Sequence, residues 1–510
     1  MYDAIFFTDV TQAESQGVEL ALGAFKVASS LRQQGYKCLV VNHLWQWSLE
    51  ELKDLLSLVV SNQTKLIGFS TTFIKEVSRS TPSETPSFRF PYNYIVFPQG
   101  KDFENTVVEF IKTLNSDVKL AAGGTRIHPN FQNKNIDYAF IGYSEVSIVN
   151  LLNHLSTGEE LKNTYKNIHG VFIVDDKLAP TYNFASDSMI WEETDICNHK
   201  VLPIEIGRGC VFNCSFCSYP LRGKNNLDYI RHAEILRDEL MSNYKKFGIT
   251  HYRLVDDTFN DHTDKLLMFR DLVKSLPFQP YFWCYARLDL LTTRPETIDL
   301  LYEIGCRALY FGIETMNERT GRHIGKGFSR SRQNETIVYI KEKYPDIMLH
   351  GSLIIGLPGD TEDDILSTFN RLVNQEIKLD TWSLRPMVLF KPGTVTFTSS
   401  FEDNMEKHGY SVEKETDDYY IHWKNENFTF IQAYNLSNEL MKKSFQSANY
   451  KLDGHLVFQY VELGYDIFEL MKINFREWDF HKIAKEDHPN FIDTYKRIML
   501  ELIHEQINKE

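Results

Sequence analysis

Arg208-Gly209-Cys210-Val211-Phe212-Asn213-Cys214-Ser215-Phe216-Cys217 is the stretch that decides how this chain reads. Its three cysteines stand in C-x3-C-x2-C spacing within eight residues, so three thiolates can meet one soft metal centre without distant parts of the fold. Gly209, Asn213 and Ser215 make the segment a polar loop. Three cysteines are one short of the four that normally close an iron–sulfur cubane, which leaves one iron open to a ligand that is not protein. A zinc knuckle would want a fourth Cys or His nearby. The nearest later histidine, His232, lies fifteen residues beyond Cys217 in a helical stretch. A disulfide framework suits neither the count of seven cysteines in 510 residues nor the start, Met1 to Phe7, which has no basic leader and reads as a strand. Cys38, Cys197, Cys284 and Cys306 read as buried small side chains.

A length of 510 residues predicts two to four domains. The hydrophobic share of 43% and the aromatic share of 13% can furnish large cores. No apolar run approaches the ~18 residues of a membrane span, so a cytoplasmic protein with no membrane partner is expected. The net charge of -14, from 69 acidic against 55 basic side chains, argues against a broad nucleic-acid-binding face. It leaves a local basic channel open.

Residues 1–185 read as a doubly wound, Rossmann-like α/β unit, because strands and helices alternate. The strands are Ile5 to Thr8, Tyr36 to Val41, Leu66 to Ser70, Val118 to Ala122 and Asp137 to Ile141. Helices lie at about Gly17 to Gln34, after Ser48, at Phe103 to Leu114, and from Glu145 to Leu155. Ser48 is an N-cap with Glu51 at the capping-box position.

Residues 186–399 read as six β-α units, a partial (β/α)6 barrel with functional groups at its strand C-termini. The strands are Leu202 to Gly207, Thr250 to Val255, Tyr281 to Ala286, Arg307 to Ile313, Met348 to Ile355 and Thr381 to Leu389. The helices run Leu227 to Phe247, Asp261 to Leu276, Pro295 to Ile304, Gln333 to Tyr344, and onward from the cap Thr361. Polar groups recur where the strands end: Asp256 and Asp257, Arg287, Glu314, and the turn Gly356-Leu357-Pro358-Gly359. Residues 400–510 show helical periodicity at Tyr434 to Ala448, Phe458 to Met471 and Phe491 to Asn508. Trp423, Phe428, Phe430 and Trp478 serve as aromatic anchors. A helical C-terminal domain that caps the barrel mouth is expected.

C-x3-C-x2-C with an aromatic residue before its last cysteine resembles the signature of the radical S-adenosylmethionine (radical SAM) enzymes. The resemblance implies a 4Fe-4S cluster on Cys210, Cys214 and Cys217, flanked by Phe216, with S-adenosylmethionine (SAM) on the open iron. It implies that Asp256 and Asp257 stand where many members carry Gly-Gly-Glu to hold the methionyl amine. Arg287 would meet the methionyl carboxylate, where a guanidinium gives a two-point match. Glu314 would accept the ribose hydroxyls or the amine, and the backbone at Gly356 and Leu357 would approach the adenine.

The first 185 residues resemble the cobalamin-binding domain that precedes the radical SAM domain in one large subfamily. This implies a corrinoid beside Gly68, Ser70, Thr71, Gly123, Gly124, Gly142 and Glu145, with the edges Gly68 to Thr72 and Gly123 to Arg126 bordering it. The chain lacks the Asp-x-His-x-x-Gly of an axial histidine, as members of that subfamily often do. The polar segment Lys75 to Tyr94 departs from the usual pattern. A domain that keeps the fold and binds no corrinoid is the alternative.

The function these resemblances imply is reductive cleavage of SAM to a 5′-deoxyadenosyl radical, with cobalamin-dependent methylation of an unactivated carbon. Cobalamin-independent rearrangement or methylthiolation of the tRNA type are alternatives. Residues 400–510 do not resemble the small β-barrel that ends tRNA methylthiotransferases. A non-catalytic iron–sulfur scaffold is a further reading, but it has no use for strand-end carboxylates and Arg287. Implied partners are a small-molecule or peptide substrate and an electron donor such as flavodoxin or ferredoxin.

Overall fold

A computed structural model describes residues 1–9, 17–71, 103–124, 127–162, 165–176, 182–219, 221–224, 227–326, 329–393, 395, 397–416 and 420–509. The polar segment 75–94 and positions 72, 125 and 126 lie outside the described residues.

The N-terminal sheet has seven strands: β1 (Ala4–Phe7), β2 (Cys38–Val41), β3 (Leu66–Ser70), β4 (Lys119–Gly123), β5 (Tyr138–Gly142), β6 (Lys166–Ile168) and β7 (Val171–Asp176). Their order is β2-β1-β3-β4-β5-β7-β6. Every pairing is parallel except β6 with β7. Strands covered on both faces read as unbroken apolar runs, and every residue of β1 and β2 is buried. Helices Leu22–Arg32 and Glu145–Thr157 share one core with the barrel. Helices Leu49–Val59 and Phe103–Leu114 build the other face. The Ser48–Glu51 capping box forms, with bonds of 2.7 and 3.2 Å.

The sheet runs two strands past the expected end at Ile141. β7 lies toward the rim, with Phe172 exposed. Its run closes in Asp175-Asp176, so it lacks the unbroken apolar signature of the inner strands.

The second sheet holds six parallel strands in sequence order: β8 (Val201–Ile204), β9 (His251–Leu254), β10 (Tyr281–Ala286), β11 (Cys306–Glu314), β12 (Met348–Ile355) and β13 (Thr381–Pro386). Helices Ala233–Phe247, Thr263–Lys274, Glu296–Ile304, Arg330–Lys343 and Glu362–Val373 alternate with the strands. The helix expected from Leu227 begins at Ala233 after a 3-10 turn at Leu227–Tyr229. The sixth strand stops at Pro386, three residues early, where its partner β12 also ends, at Ile355. The Thr361–Asp364 capping box forms as expected.

Residues beyond 400 do three different things, which corrects the expectation of one cap over the barrel mouth. The hairpin β14 (Ser411–Lys414) and β15 (His422–Lys424) leads into helix Phe430–Gln446, which covers the free edge of β13. Ser437 Oγ donates to Leu384 O at 2.7 Å, Tyr450 OH to Trp382 O at 2.8 Å, and Trp423 Nε1 to Met387 O at 2.8 Å. Edge carbonyls that would invite another chain are thus spent internally.

Helix Gly454–Glu462 instead plugs the N-terminal end of the barrel. Its Val457, Phe458 and Val461 pack on Val201, Trp283, Ala308 and Met348. Gly464 breaks the run expected from Phe458 to Met471 at φ 98°, and a short helix resumes at Ile467–Leu470. The last helix, His488–Lys509, leaves the barrel and buries Tyr495, Met499 and Ile503 in the core of the N-terminal sheet. Among the described residues no helix is long and apolar enough to cross a membrane.

The plug is tight at its start. A Cβ on Gly454 would lie 2.7 Å from both Ala308 Cβ and Trp283 Cδ1. Gly454→Ala should therefore lower stability by about 1–3 kcal/mol, the usual cost of overpacking. Thermal or denaturant unfolding would read this. An unchanged midpoint would mean that the plug gives way freely.

Candidate active site

The loop 208–217 leaves β8 and turns across the C-terminal end of the barrel. It is held by backbone bonds from Arg208 N to Tyr229 O at 2.8 Å and from Cys210 N to Leu221 O at 2.9 Å. Gly209 has φ 129°, and a Cβ there would meet Leu221 O at 2.8 Å, so only glycine fits. Cys210, Cys214 and Cys217 face one cleft of about 190 Å³ at the strand C-termini. Among the described residues no three His, Cys, Asp or Glu side chains gather around a single ion. In a cubane each thiolate takes its own iron, so the sulfurs spread around the cluster. Burial pushes Cys217 up to about 11 and also raises Cys210. Thiolates here need a positive partner such as a metal. The donor set therefore fits an iron–sulfur cluster.

Phe216, Asp257, Arg287 and Glu314 line the same cleft. The Asp257 carbonyl accepts from Thr258 Oγ1 at 2.8 Å, while its carboxylate makes no hydrogen bond or ion pair among the described residues. Burial, and next the charge of Asp256, pushes its carboxyl up to about 7. Glu314, the last residue of β11, sits at φ 66°, a conformation that non-glycine residues adopt at a cost. Its carboxylate pairs with Lys326 at 3.2 Å.

Arg287 reaches the cleft but is already engaged. Its guanidinium makes two bonds to Asp289, at 3.0 and 2.6 Å, and donates to Gly325 O at 3.2 Å and Cys214 Sγ at 3.3 Å. It also stacks on Phe212 at 3.9 Å. Arg287 thus ties the cysteine loop to β10.

Three other expected placements need correction. Asp256 points into the barrel wall, where its carboxylate accepts from Ile206 N at 2.8 Å and faces Lys265 Nζ at 3.5 Å. Burial, opposed by Lys265, pushes it up to about 6. Gly356 and Leu357 do not reach the cleft. A Cβ on Gly356 would lie 2.3 Å from the Trp423 ring. Its carbonyl accepts from Tyr410 OH at 2.8 Å and Asn425 Nδ2 at 2.9 Å. Leu357 is fully buried. The segment after residue 400 fills the space proposed for the adenine.

On the N-terminal sheet, Ser70, Gly123 and Gly142 sit part-exposed at strand C-termini, with open space over Gly123. Gly68 has another task, because a Cβ there would meet the Phe6 ring at 2.5 Å. Thr71 is buried and donates its N–H to Gly123 O, and a Cβ on Gly124 would meet Thr71 Oγ1 at 2.5 Å. Glu145 is buried and paired with Arg208 at 2.8 Å. Gly68, Gly124 and Glu145 are thus used by the protein itself.

Sequence reasoning missed Thr258, Tyr285, Tyr310, Ser352, Arg222 and Lys326, which also line the cleft. The period of two along a strand could have found two of them. Trp283 and Tyr285 alternate on β10, as do Tyr310, Gly312 and Glu314 on β11.

With this geometry in hand, comparison with known proteins places the chain. Residues 204–372 match the model of the Radical SAM superfamily, and this part of the chain is a radical SAM domain. An uncharacterized methyltransferase, PH0819 of Pyrococcus horikoshii, is 26% identical over 290 residues, covering 52% of this chain and 59% of that protein. Bacteriochlorophyllide d C-12(1)-methyltransferase of Chlorobaculum tepidum is 24% identical over 188 residues, 36% of this chain and 40% of that protein. The chain thus spans about half the length of these curated relatives.

Two solved structures share the fold over nearly all of it. The radical SAM methyltransferase TsrM of Kitasatospora setae, with cobalamin and a [4Fe-4S] cluster bound, aligns at TM-score 0.63 and 13% identity. The alignment covers 92% of this chain and 99% of that one. The cobalamin-dependent radical enzyme OxsB, with aqua-cobalamin and SAM bound, aligns at TM-score 0.60 and 12% identity over 100% of this chain and 80% of that one. The fold is therefore a Rossmann-like sheet followed by a radical SAM barrel.

Proposed function

We propose that the chain is a radical SAM methyltransferase that cleaves SAM at a 4Fe-4S cluster on Cys210, Cys214 and Cys217. Its substrate would be a small molecule or peptide, methylated on carbon with the help of cobalamin. The observation that carries this reading is the convergence of three thiols, an unpaired carboxylate and the Glu314–Lys326 pair in one cleft at the C-terminal end of six parallel strands. When bound, the cluster supplies one electron, delivered to it by a partner such as flavodoxin or ferredoxin. That electron would cleave the sulfonium C5′–S bond of bound SAM to methionine and a 5′-deoxyadenosyl radical.

The chain's own residues bind and orient. Asp257 offers its carboxylate to the methionyl ammonium. Lys326 offers a cation to the methionyl carboxylate when Glu314 turns to the amine or the ribose. Arg287, spent on Asp289 and Cys214, steadies the thiolate. Ser70, Gly123 and Gly142 form the edge on which a corrinoid would rest. The corrinoid-free alternative draws support from the internal use of Gly68, Gly124 and Glu145.

Anaerobic reconstitution with iron and sulfide, followed by assay of 5′-deoxyadenosine with and without hydroxocobalamin, tests the proposal. Retained corrinoid absorbance after desalting supports the methyl-transfer reading. Colourless protein that still cleaves SAM would leave only the cobalamin-independent reading.

The carboxylate of Asp257 gives a pH signature. Its pKa is raised from 3.8 to about 7, so the folded protein holds this proton more tightly than the unfolded chain. Ionising Asp257 therefore costs stability as pH rises from its ordinary value through about 7. An ammonium ligand needs the ionised form. Affinity for SAM should rise by up to about tenfold per pH unit below that pKa and level off above it. Asp257→Asn should flatten the profile in equilibrium binding. A sloped profile in that variant would assign the titration to another group.

A further inference from the structure

We propose that Arg208 is a positioning residue that fixes the distance between the cluster and any ligand on the edge of the N-terminal sheet. This rests on the radical SAM and corrinoid reading above. Arg208 stands two residues before Cys210, and the two are joined by the rigid Gly209 turn. Its side chain is buried and gripped from both sides. On the barrel side, Nε and Nη2 make a two-point contact with Glu205 at 2.7 and 2.8 Å. On the sheet side, Nη1 meets Glu145 at 2.8 Å. Glu145 opens the helix that follows β5, three residues after Gly142 on the proposed corrinoid edge. Tyr143 of the same edge lies 4.3 Å from the guanidinium carbon, and Phe184 and Tyr182 of the connecting segment lie at 4.7 and 5.5 Å.

The joint is anchored further. Arg231 donates Nη1 to Glu205 O at 3.0 Å and Nε to Asp187 O at 2.9 Å, and Asp187 pairs with Lys26 of the sheet's first helix. One planar cation thus carries a carboxylate from each unit and three aromatic contacts. The two-point contact with Glu205 needs a planar fork, which an ammonium cannot supply, and Nη1 meets Glu145 as an ion pair without a hydrogen bond. A buried charge with two partners also resists displacement, because losing either leaves an uncompensated ion. The cysteine loop is thereby tied to the sheet edge through Arg208, with Arg231, Asp187 and Lys26 as a second link beside it. The cluster-bound sulfonium and a corrinoid on that edge can react only if they are held at reacting distance.

The test uses the full chain reconstituted with iron and sulfide, SAM, titanium(III) citrate as reductant and hydroxocobalamin as the probe. Formation of 5′-deoxyadenosine needs SAM at the cluster alone. S-adenosylhomocysteine records loss of the sulfonium methyl group to the corrinoid, which titanium(III) has reduced by two electrons. Glu145→Gln cuts the sheet side of the joint, and Arg208→Lys removes the fork while keeping the charge. Each should lower the ratio of S-adenosylhomocysteine to 5′-deoxyadenosine by about tenfold or more, since misplacement by about 1 Å costs on that order. Iron content and the response of the reduced cluster's paramagnetic resonance to SAM should hold.

An unchanged ratio in both variants overturns the inference. So does a fall of both products in proportion to iron, which marks a mere structural anchor. An unsubstituted protein that makes no 5′-deoxyadenosine, or retains no corrinoid, overturns the underlying reading along with it.

Discussion

Alanine at any one of Cys210, Cys214 or Cys217 should take SAM cleavage to background. Two thiolates cannot hold a cubane that is already one ligand short, and burial disfavours the thiolate that remains without its metal. The contrast with the other cysteines is sharp. Cys284 and Cys306 lie on neighbouring strands with sulfurs 3.9 Å apart, both fully buried. Alanine there should cost stability and leave cleavage intact, as befits small apolar side chains. Iron content and 5′-deoxyadenosine yield would read both sets. Cleavage surviving in a Cys210, Cys214 or Cys217 variant would sink the assignment of the site.

Lys265→Met should have the largest effect on stability, about 3–5 kcal/mol, the usual cost of removing one partner from a buried ion pair. Lys265 is buried and pairs with Asp261 at 2.7 Å and Asp256 at 3.5 Å, and it donates to Thr258 O at 2.9 Å. Without it two carboxylates stay in the wall of the cleft with no cation. The loss should shrink as pH falls, because protonation neutralises the stranded Asp256. Asp256 already titrates at about 6 in the intact protein, and removing Lys265 can only raise that value. Denaturant unfolding at two pH values would check both points, and a loss that grows on acidification would contradict them.

Local chemistry is what the sequence stated clearly. Ser48 with Glu51, Thr361 with Asp364, and the alternation of strands and helices each depend on neighbours, and each stands where spacing puts it. The cysteine loop was legible for the same reason. What stayed hidden is decided by residues far apart in the chain. Gly356 looks like an open turn until Trp423 and Tyr410 arrive from the C-terminal segment. Arg287 and Glu145 look free for ligands until Asp289, Cys214 and Arg208 claim them. Asp256 and Asp257 are neighbours of the same type, yet only the latter faces the cleft, because consecutive side chains at a strand end point to opposite sides. Lys326 sits after a short helix with no periodicity to mark it.

The helix His488–Lys509 has a consequence for how the protein is made. Tyr495 OH accepts a hydrogen bond from Asn42 N at 3.0 Å, Lys496 pairs with Glu51, and Tyr2 OH donates to Gln506 at 2.6 Å. These strands are therefore covered by residues some 445 positions further along the chain. At ribosomal speed that interval is on the order of tens of seconds. Throughout it, the part of that face on which Tyr495, Met499 and Ile503 pack lacks its native cover. Vectorial folding of the first unit cannot be completed alone, so the growing chain should rely on a holding chaperone.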